Sequence, residues 1–475
     1  MLEGRSLPEI ILWSCAIALG VTCAGHALLI KRRNPSGALI WVVFCLTVPY
    51  FAPFLYLTFG HDRLTRRRRR RIRAAHREFY NDVQQRRSQR RQGGGELSCP
   101  VPALFRLCEG DVLGGNAVDV LIGGHAAYDR MCAVISHAVR HVYLQTFIFD
   151  ADDAGRRFID VLSERAQAGV RVRVLYDPVG TSRAGARLIR SLTERGGDAK
   201  VAAFLPFHPL KRRWQVNLRN HRKILAVDDE HGFLGSMNVS ARHFAQGPTS
   251  SHDLVLHVRG PVVRDMTDVF SADWRFAAGE RLQDDGAVPP PAGNETLQLV
   301  ESGPDHVDRG VFQLLVAAIY AARRDILVLT PYFIPPPELL TALQTAAARG
   351  ISVRLVVPGK QGQWLMHLAT RSYLSPLLRE GVKVAERPGT LMHMKLLVVD
   401  DAVAVVGSTN LDYRSFFLNF EADFVVYGGE LQRRLRETAE AEWRASTPMP
   451  EGRFEKLPLA ERLAIRAAAL FSPVL

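Results

Sequence analysis

One set of seven residues occurs twice in this chain at identical offsets. Counted from a histidine, lysine stands at +2, aspartates at +7 and +8, glycine at +14, serine at +15 and asparagine at +17. The first set is His221, Lys223, Asp228, Asp229, Gly235, Ser236 and Asn238; the second is His393, Lys395, Asp400, Asp401, Gly407, Ser408 and Asn410. A single His-x-Lys arises easily by chance. Two copies in one register with apolar filler do not, so the chain is expected to fold as two related units.

Each copy reads as a hairpin. Residues 224–227 and 396–399 are apolar, as in strands buried on both faces. The paired aspartates read as a turn, and a second short strand, 232–234 or 403–406, follows. Such a hairpin returns the asparagine beside the histidine and lysine. Side chains two apart on a strand share a face, so each copy offers an imidazole, an ammonium and a carboxamide together. That set suits a phosphate, which needs a nucleophile or acid, positive charge and hydrogen-bond donors. One copy is half a site. With two, one neutral imidazole can attack phosphorus while the other, protonated, supplies the leaving alkoxide.

The repetition extends beyond the motifs. Strand, helix and strand are expected at 142–149, 155–168 and 170–176, and again at 326–330, 337–349 and 351–357. Gly169 and Gly350 stand where a helix end favours a left-handed residue. Helices alternating with apolar strands imply α/β halves with a mixed sheet covered on both faces. The motifs should face each other across the seam, with the join near the prolines at 289–291.

The repeated His-x-Lys-x4-Asp followed by Gly-Ser-x-Asn resembles the phospholipase D superfamily. Arg-Asn-His-Arg-Lys (219–223), Thr-Pro-Tyr-Phe-Ile-Pro (330–335), the segment 407–421, the Ser-Pro-Val-Leu end (472–475) and the hydrophobic start are similar to its bacterial cardiolipin synthase branch. The resemblance implies two pseudo-twofold-related phospholipase D-like domains after N-terminal transmembrane segments. It implies catalytic sets His221, Lys223, Asp228 and His393, Lys395, Asp400, with the two aspartates acting as structural ion-pair partners. Phosphate would be held by Lys223, Lys395, Asn238 and Asn410. Asp253 and Glu421 would each take the other ring N–H of a histidine, with Ser236 and Ser408 supporting them. The implied reaction moves a phosphatidyl group from one phosphatidylglycerol to another through a phosphatidyl-histidine, needing neither metal nor other cofactor. Family habit gives the attack to His221 and the proton to His393, although near-identical motifs leave the order open. Pro336 and residues 359–362 stand where the family often has acidic residues, which bears on acceptor choice.

The net charge of +13 is unevenly placed. Residues 61–92 hold thirteen arginines against Asp62, Glu78 and Asp82, so this tract carries +10 and the rest of the chain only +3. That distribution argues against a nucleic-acid-coating catalytic surface. Next to an apolar segment, the tract reads as a contact for anionic phospholipids or as a solvated linker that sets topology. Residues 10–30 are long enough to span a bilayer; residues 38–59 are interrupted by Pro49 and Pro53. The expected divisions are 1–60 membrane segments, 61–97 linker, 98–288 first half and 289–475 second half. The arginine tract favours a cytoplasmic catalytic region on a multi-pass inner-membrane protein, against the weaker signal of Lys31, Arg32 and Arg33.

Six cysteines lack metal-ligand spacing. Asp150, Asp152 and Asp153 read as a turn and helix cap rather than a metal site. Asp177 and Tyr332–Phe333 follow strand ends, where α/β sites form; Lys211–Arg213 could meet lipid. His231, His252 and His367 are expected to be structural. A hydrolase releasing phosphatidic acid, a phosphatidylserine-forming enzyme, a nuclease and a non-catalytic lipid scaffold are the alternatives. Oligomeric state is not legible.

Overall fold

A computed structural model describes residues 7–30, 35–57, 108, 110–205, 218–244, 251–283, 286–304, 310–359, 363–389 and 391–472. The arginine tract, Lys31–Arg33, Lys211–Arg213, Cys99, residues 360–362 and the last three residues lie outside this set. The chain divides into two compact units, residues 1–70 with 207–217, and residues 71–206 with 218–475.

In the first unit, helix Leu7–Ile30 contains a 19-residue apolar stretch long enough to cross a bilayer. Its neighbour, Pro35–Thr47, has 13 residues, a rise of roughly 20 Å against a hydrocarbon core of about 30 Å. It ends before Pro49, and a short helix, Ala52–Leu55, resumes after the break. The second apolar stretch is therefore not one continuous spanning helix. The proline ring removes a helical N–H and clashes with the preceding turn. Gly20 lets the two longer helices touch: a Cβ there would come within 2.5 Å of the Cys45 carbonyl oxygen.

The second unit is built on one 16-stranded mixed sheet. From the second-half edge its order is Thr447–Pro448, Lys383–Arg387, Ser352–Pro358, Asp325–Leu329, Leu396–Val399, Val403–Gly407, Asn419–Tyr427 and Glu295–Ser302. It continues with Val112–Ile122, Leu254–Arg259, His231–Gly235, Ile224–Val227, His141–Thr146, Arg171–Tyr176 and Ala199–Ala203, and the sixteenth strand, Arg219–Asn220, pairs with Asn419–Tyr427 off this path. Apart from Thr447–Pro448, the order read inward from either edge is the same. Its two central strands pair antiparallel, with Leu113 opposite Leu297, so the halves are related by a pseudo-twofold at that ladder.

Both motifs form the expected hairpins. Ile224 pairs with Leu234 and Val227 with His231; Leu396 pairs with Val406 and Val399 with Val403. Asp228, Asp229 and Asp400 take the left-handed conformation (φ 55°, 58° and 48°), which short polar side chains tolerate best among non-glycine residues. Gly169 and Gly350 also have positive φ at their helix ends. Asp152 caps helix Asp153–Gln167 by accepting from Gly155 N–H at 3.0 Å.

One face of each half is covered by three helices: Gly124–Ser136, Asp153–Gln167 and Arg183–Glu194 in the first, Val311–Ala321, Pro337–Ala348 and Trp364–Arg379 in the second. Val262–Ala278 and Gly429–Arg444 cover the opposite face. Their Met266 and Leu435 share one core with Leu256, Leu299 and Val426. That core runs through both halves and spans the seam. The apolar runs recognised in the sequence are buried on both faces for this reason.

Candidate functional site

The segment bearing each histidine is irregular; the regular strand begins only at Ile224 or Leu396. Just before it, Arg219–Asn220 pairs in parallel with Asn419–Phe420, while Leu391–Met392 pairs with Ser251–His252. The His221 N–H donates to the Phe420 carbonyl at 2.8 Å and the His393 N–H to the His252 carbonyl at 2.9 Å. Each histidine is thus laced into the opposite half.

The carboxylates complete this exchange. His221 Nδ1 lies 2.9 Å and 3.0 Å from the two oxygens of Glu421. His393 Nδ1 lies 2.7 Å from Asp253 Oδ1. Each carboxylate also accepts from the serine of its own half: Ser408 Oγ to Glu421 at 2.6 Å and Ser236 Oγ to Asp253 at 2.7 Å. With Nδ1–H given to a carboxylate, Nε2 is the ring atom available for chemistry in both histidines. Lys223 Nζ donates to the His221 carbonyl at 2.6 Å, and Lys395 Nζ to the His393 carbonyl at 2.8 Å. Asn238 Oδ1 accepts from Ile148 N–H at 3.2 Å, which fixes the amide's oxygen end. Asn410 is buried, and its Oδ1 has no hydrogen-bond partner among the described residues.

The aspartates of the signature are elsewhere. Asp228 accepts from the backbone N–H groups of Val139, Arg140 and His141 at 2.7, 2.8 and 2.7 Å. Asp400 does the same for Arg323, Arg324 and Asp325, each at 2.9 Å. They sit at the far end of the buried strands, seven residues from the histidines and so up to roughly 23 Å along the chain at about 3.3 Å per residue. Although grouped with the catalytic sets in the sequence, both are placed apart from the histidines, where they anchor the hairpin turn to the start of the neighbouring strand. Their described partners are chiefly amides, rather than only the ion pairs expected.

Burial dominates the electrostatics. It pushes His221 well below the ordinary imidazole range, and the charges of Lys223 and Lys395 push further in the same direction. Burial and Lys395 likewise bring His393 down to about 3. The ammonium groups fall to about 7 at Lys223 and about 8 at Lys395, again mainly by burial. Burial lifts Glu421 to about 7, with Lys223 opposing. Asp253 goes the other way: facing His243 and His393 outweighs its burial and holds it well below the usual carboxylate range. Both imidazoles are therefore biased towards their neutral form, beside two partly desolvated ammonium groups. An anionic phosphodiester would supply the missing negative charge.

Several site residues were not singled out by sequence reasoning. His243 Nδ1 lies 2.5 Å from Asp253 Oδ2, so Asp253 joins two imidazoles. His243, Asp253 and His393 converge closely enough to hold a cation, but these two hydrogen bonds already account for their proximity. The residue at the same distance after the second asparagine is Ser415, and comparing the repeats there would have exposed the difference. The fully buried Arg222 points away from its neighbours His221 and Lys223. It pairs with Asp273 at 2.8 Å and Glu301 at 3.2 Å and donates to the Glu421 carbonyl at 3.1 Å. The Phe147 ring meets His221 edge-on at 5.0 Å and lies 5.7 Å from Lys223 Nζ. Asp177 accepts from Asn220 N–H at 2.9 Å and pairs with Arg219 at 3.4 Å, so it holds the entry to the first motif. Phe333 is core packing, and Tyr332 is half-buried against a small cluster with Ile334 and Met366. His231 and His252 are bound to His257 and Glu442.

A family model described as "Cardiolipin synthase, PLD-like domain" matches residues 131–274 and 315–443, and one described as phospholipase D-nuclease N-terminal matches residues 18–61. The cardiolipin synthase of Geobacillus kaustophilus is 31% identical, covering 100% of this chain and 95% of that protein. Cardiolipin synthase 1 of Bacillus anthracis is 30% identical over 98% of this chain and 93% of its own length. The major cardiolipin synthase ClsA of Bacillus subtilis is 30% identical over 98% of this chain and 99% of its own length. Among solved structures, the phosphatidylserine synthase of Haemophilus influenzae superposes with a TM-score of 0.61 at 14% identity, covering 78% of this chain and 99% of that one. That likeness is one of fold. With the matched model spanning more than half of its residues and such relatives aligned over nearly its whole length, the chain belongs to the phospholipase D-like cardiolipin synthase family.

Proposed function

We propose that the protein is a membrane-bound phosphatidyltransferase that makes cardiolipin from two phosphatidylglycerols. The observation that carries this is the crossed pair of histidine–carboxylate contacts at one seam, His221 with Glu421 and His393 with Asp253, in a chain of this family. The donor phosphate lies between Lys223, Lys395, Asn238 and Asn410, whose donors offset charge on its non-bridging oxygens. His221 Nε2 attacks phosphorus. The bond to the glycerol oxygen breaks as His393 Nε2 gives that oxygen a proton. A phosphatidyl-histidine and free glycerol result. A hydroxyl of the second phosphatidylglycerol then gives its proton to His393, its oxygen takes the phosphorus, and His221 is released. One diester replaces another, so the cycle needs no external energy.

The phosphate itself prepares His393 as an acid. Lys395 is among the charges that hold His393 neutral. An anion between the lysines screens that charge and favours the imidazolium. Phosphatidylglycerol and other anionic phospholipids are the partners, and no nucleic acid is bound. The placement we favour is a multi-pass protein of the bacterial cytoplasmic membrane with its catalytic unit in the cytoplasm. The support is the apolar helix Leu7–Ile30 and the arginine-rich residues 61–92, since positive segments stay inside.

The test is a mass-spectrometric lipid assay on purified protein in mixed micelles of phosphatidylglycerol, with and without EDTA. Cardiolipin plus free glycerol, insensitive to EDTA and absent from His393→Ala, is expected. Phosphatidic acid alone would make the protein a hydrolase, and sensitivity to EDTA would overturn the metal-free cycle.

A further inference from the structure

Helix Leu459–Ala469 is apolar on two opposite sides. Ile465 and Ala468 point inward, where Ala468 packs with Met366 and Ala369 of helix Trp364–Arg379. The other side carries Leu459, Leu463 and Leu470 at helical spacing, 70%, 57% and 81% exposed, beside Phe471 at 52% and Trp364 of the supporting helix at 72%. Scattered exposed leucines are ordinary, but here five large exposed apolar side chains lie on two packed helices and the turn that ends one of them. Arg462 and Arg466 are exposed on the same helix. Its one acid, Glu461, is paired with Arg371 of the supporting helix at 2.9 Å. The exposed surface is therefore apolar with basic charge from this helix that no acid opposes among the described residues, the pattern of a helix lying in an anionic bilayer interface.

Its place in the fold connects it to the seam. The supporting helix packs on Ile334 through Met366 and Ala369. Strand Phe333–Ile334 in turn pairs with Leu411–Asp412, which directly follows Asn410. The patch is thus linked through these contacts to the segment that follows Asn410.

We infer that this surface, Leu459, Leu463, Leu470, Phe471 and Trp364 with Arg462 and Arg466, is a bilayer-docking face of the catalytic unit, separate from the N-terminal apolar helix. It sets the catalytic unit on an anionic lipid surface near the seam, so that substrate need not leave the membrane. The kinetic arm of the test rests on the proposed lipid activity; the contact arm does not.

In the contact arm, Leu463→p-benzoylphenylalanine is introduced into the full chain, reconstituted in vesicles of phosphatidylglycerol and phosphatidylcholine, and irradiated. Lipid adducts at position 463 are expected. Adducts to a second copy, adducts to the chain's own N-terminal segment, or no lipid adduct would each overturn the inference. In the kinetic arm, Leu463→Asp/Leu470→Asp should slow turnover on those vesicles by about tenfold or more through lost apolar insertion and added negative charge. Turnover of dispersed short-chain phosphatidylglycerol should be unchanged. An equal loss on both substrates, or no loss on vesicles, would refute the docking role. If the unsubstituted protein turns over neither lipid, the proposed function fails while the adduct result still decides the docking face.

Discussion

Replacing Asp253 by asparagine isolates the feature that most distinguishes the folded site from its sequence. Asp253 follows the first motif, yet its carboxylate faces the histidine of the second, 2.7 Å from His393 Nδ1. Asparagine keeps the shape and removes the charge. The lost interaction is a buried charge-assisted hydrogen bond, about 1.5–3 kcal/mol, so turnover of phosphatidylglycerol should fall roughly 10- to 150-fold. The sharper test uses a phosphatidyl donor whose leaving group is p-nitrophenol. Such a group departs without a proton, so an enzyme lacking its general acid should regain a nitrophenol burst, while one lacking its nucleophile should not. With His393 as acid, His393→Ala and Asp253→Asn should both show the burst, and His221→Ala and Glu421→Gln should not. The pairing is judged independently of which histidine attacks. Asp253→Asn must fall in the class of His393→Ala, and Glu421→Gln in that of His221→Ala. If Asp253→Asn instead behaves like His221→Ala, the crossed arrangement is wrong.

Other outcomes follow from the same geometry. Asp228→Ala strips three backbone N–H groups of their acceptor but touches neither histidine; it should cost about 1–3 kcal/mol of stability, seen as a lower Tm, with kcat of the folded protein within about twofold. A tenfold loss of kcat at full stability would return Asp228 to the chemistry. His243→Phe leaves Asp253 with a single imidazole and should lower kcat more than KM, with partial recovery on the p-nitrophenyl donor; a change in KM alone would limit His243 to packing. Substrate binding is expected to take up a proton, because His393, lowered to about 3, must be charged to act as acid. KM for phosphatidylglycerol should therefore rise with pH, by up to about tenfold per unit between pH 5 and 8, and the fall of Lys223 to about 7 and Lys395 to about 8 acts in the same direction; a flat KM with no proton uptake would refute this. Burial raises Asp423 to about 7. A raised carboxyl stabilises the fold while protonated and loses that contribution as pH climbs from about 4 through 7, so Asp423→Asn should flatten the decline in Tm from pH 5 to 8, and an unchanged slope would show that Asp423 is not its source.

The hairpins and the α/β repetition were legible because each rests on local pattern, and the facing of the two motifs followed from the repetition. Apolar runs of four between a His-x-Lys and an aspartate turn encode a buried strand wherever they occur, and repetition of the run encodes a second half. Helix ends were legible at Asp152, Gly169 and Gly350 for the same reason: a cap or a left-handed residue acts within one turn. The second apolar stretch was half legible, since Pro49 marked the break but the 13-residue length of helix Pro35–Thr47 emerged only in the structure.

The sequence by itself determined which groups meet: two imidazoles, two ammonium groups and two carboxamides carried on duplicated hairpins, with a carboxylate following each. Tertiary structure decided who serves whom. The strand pairs Arg219–Asn220 with Asn419–Phe420 and Leu391–Met392 with Ser251–His252 carry each histidine over the seam to the other half's carboxylate. Glu421 is 200 residues from His221, and no local pattern specifies a contact at that separation. The packing that clusters His243, Asp253 and His393, and the desolvation that holds both motif histidines neutral, arise only when the two halves close over one continuous core. Both are properties of a buried environment, which the chain acquires by folding.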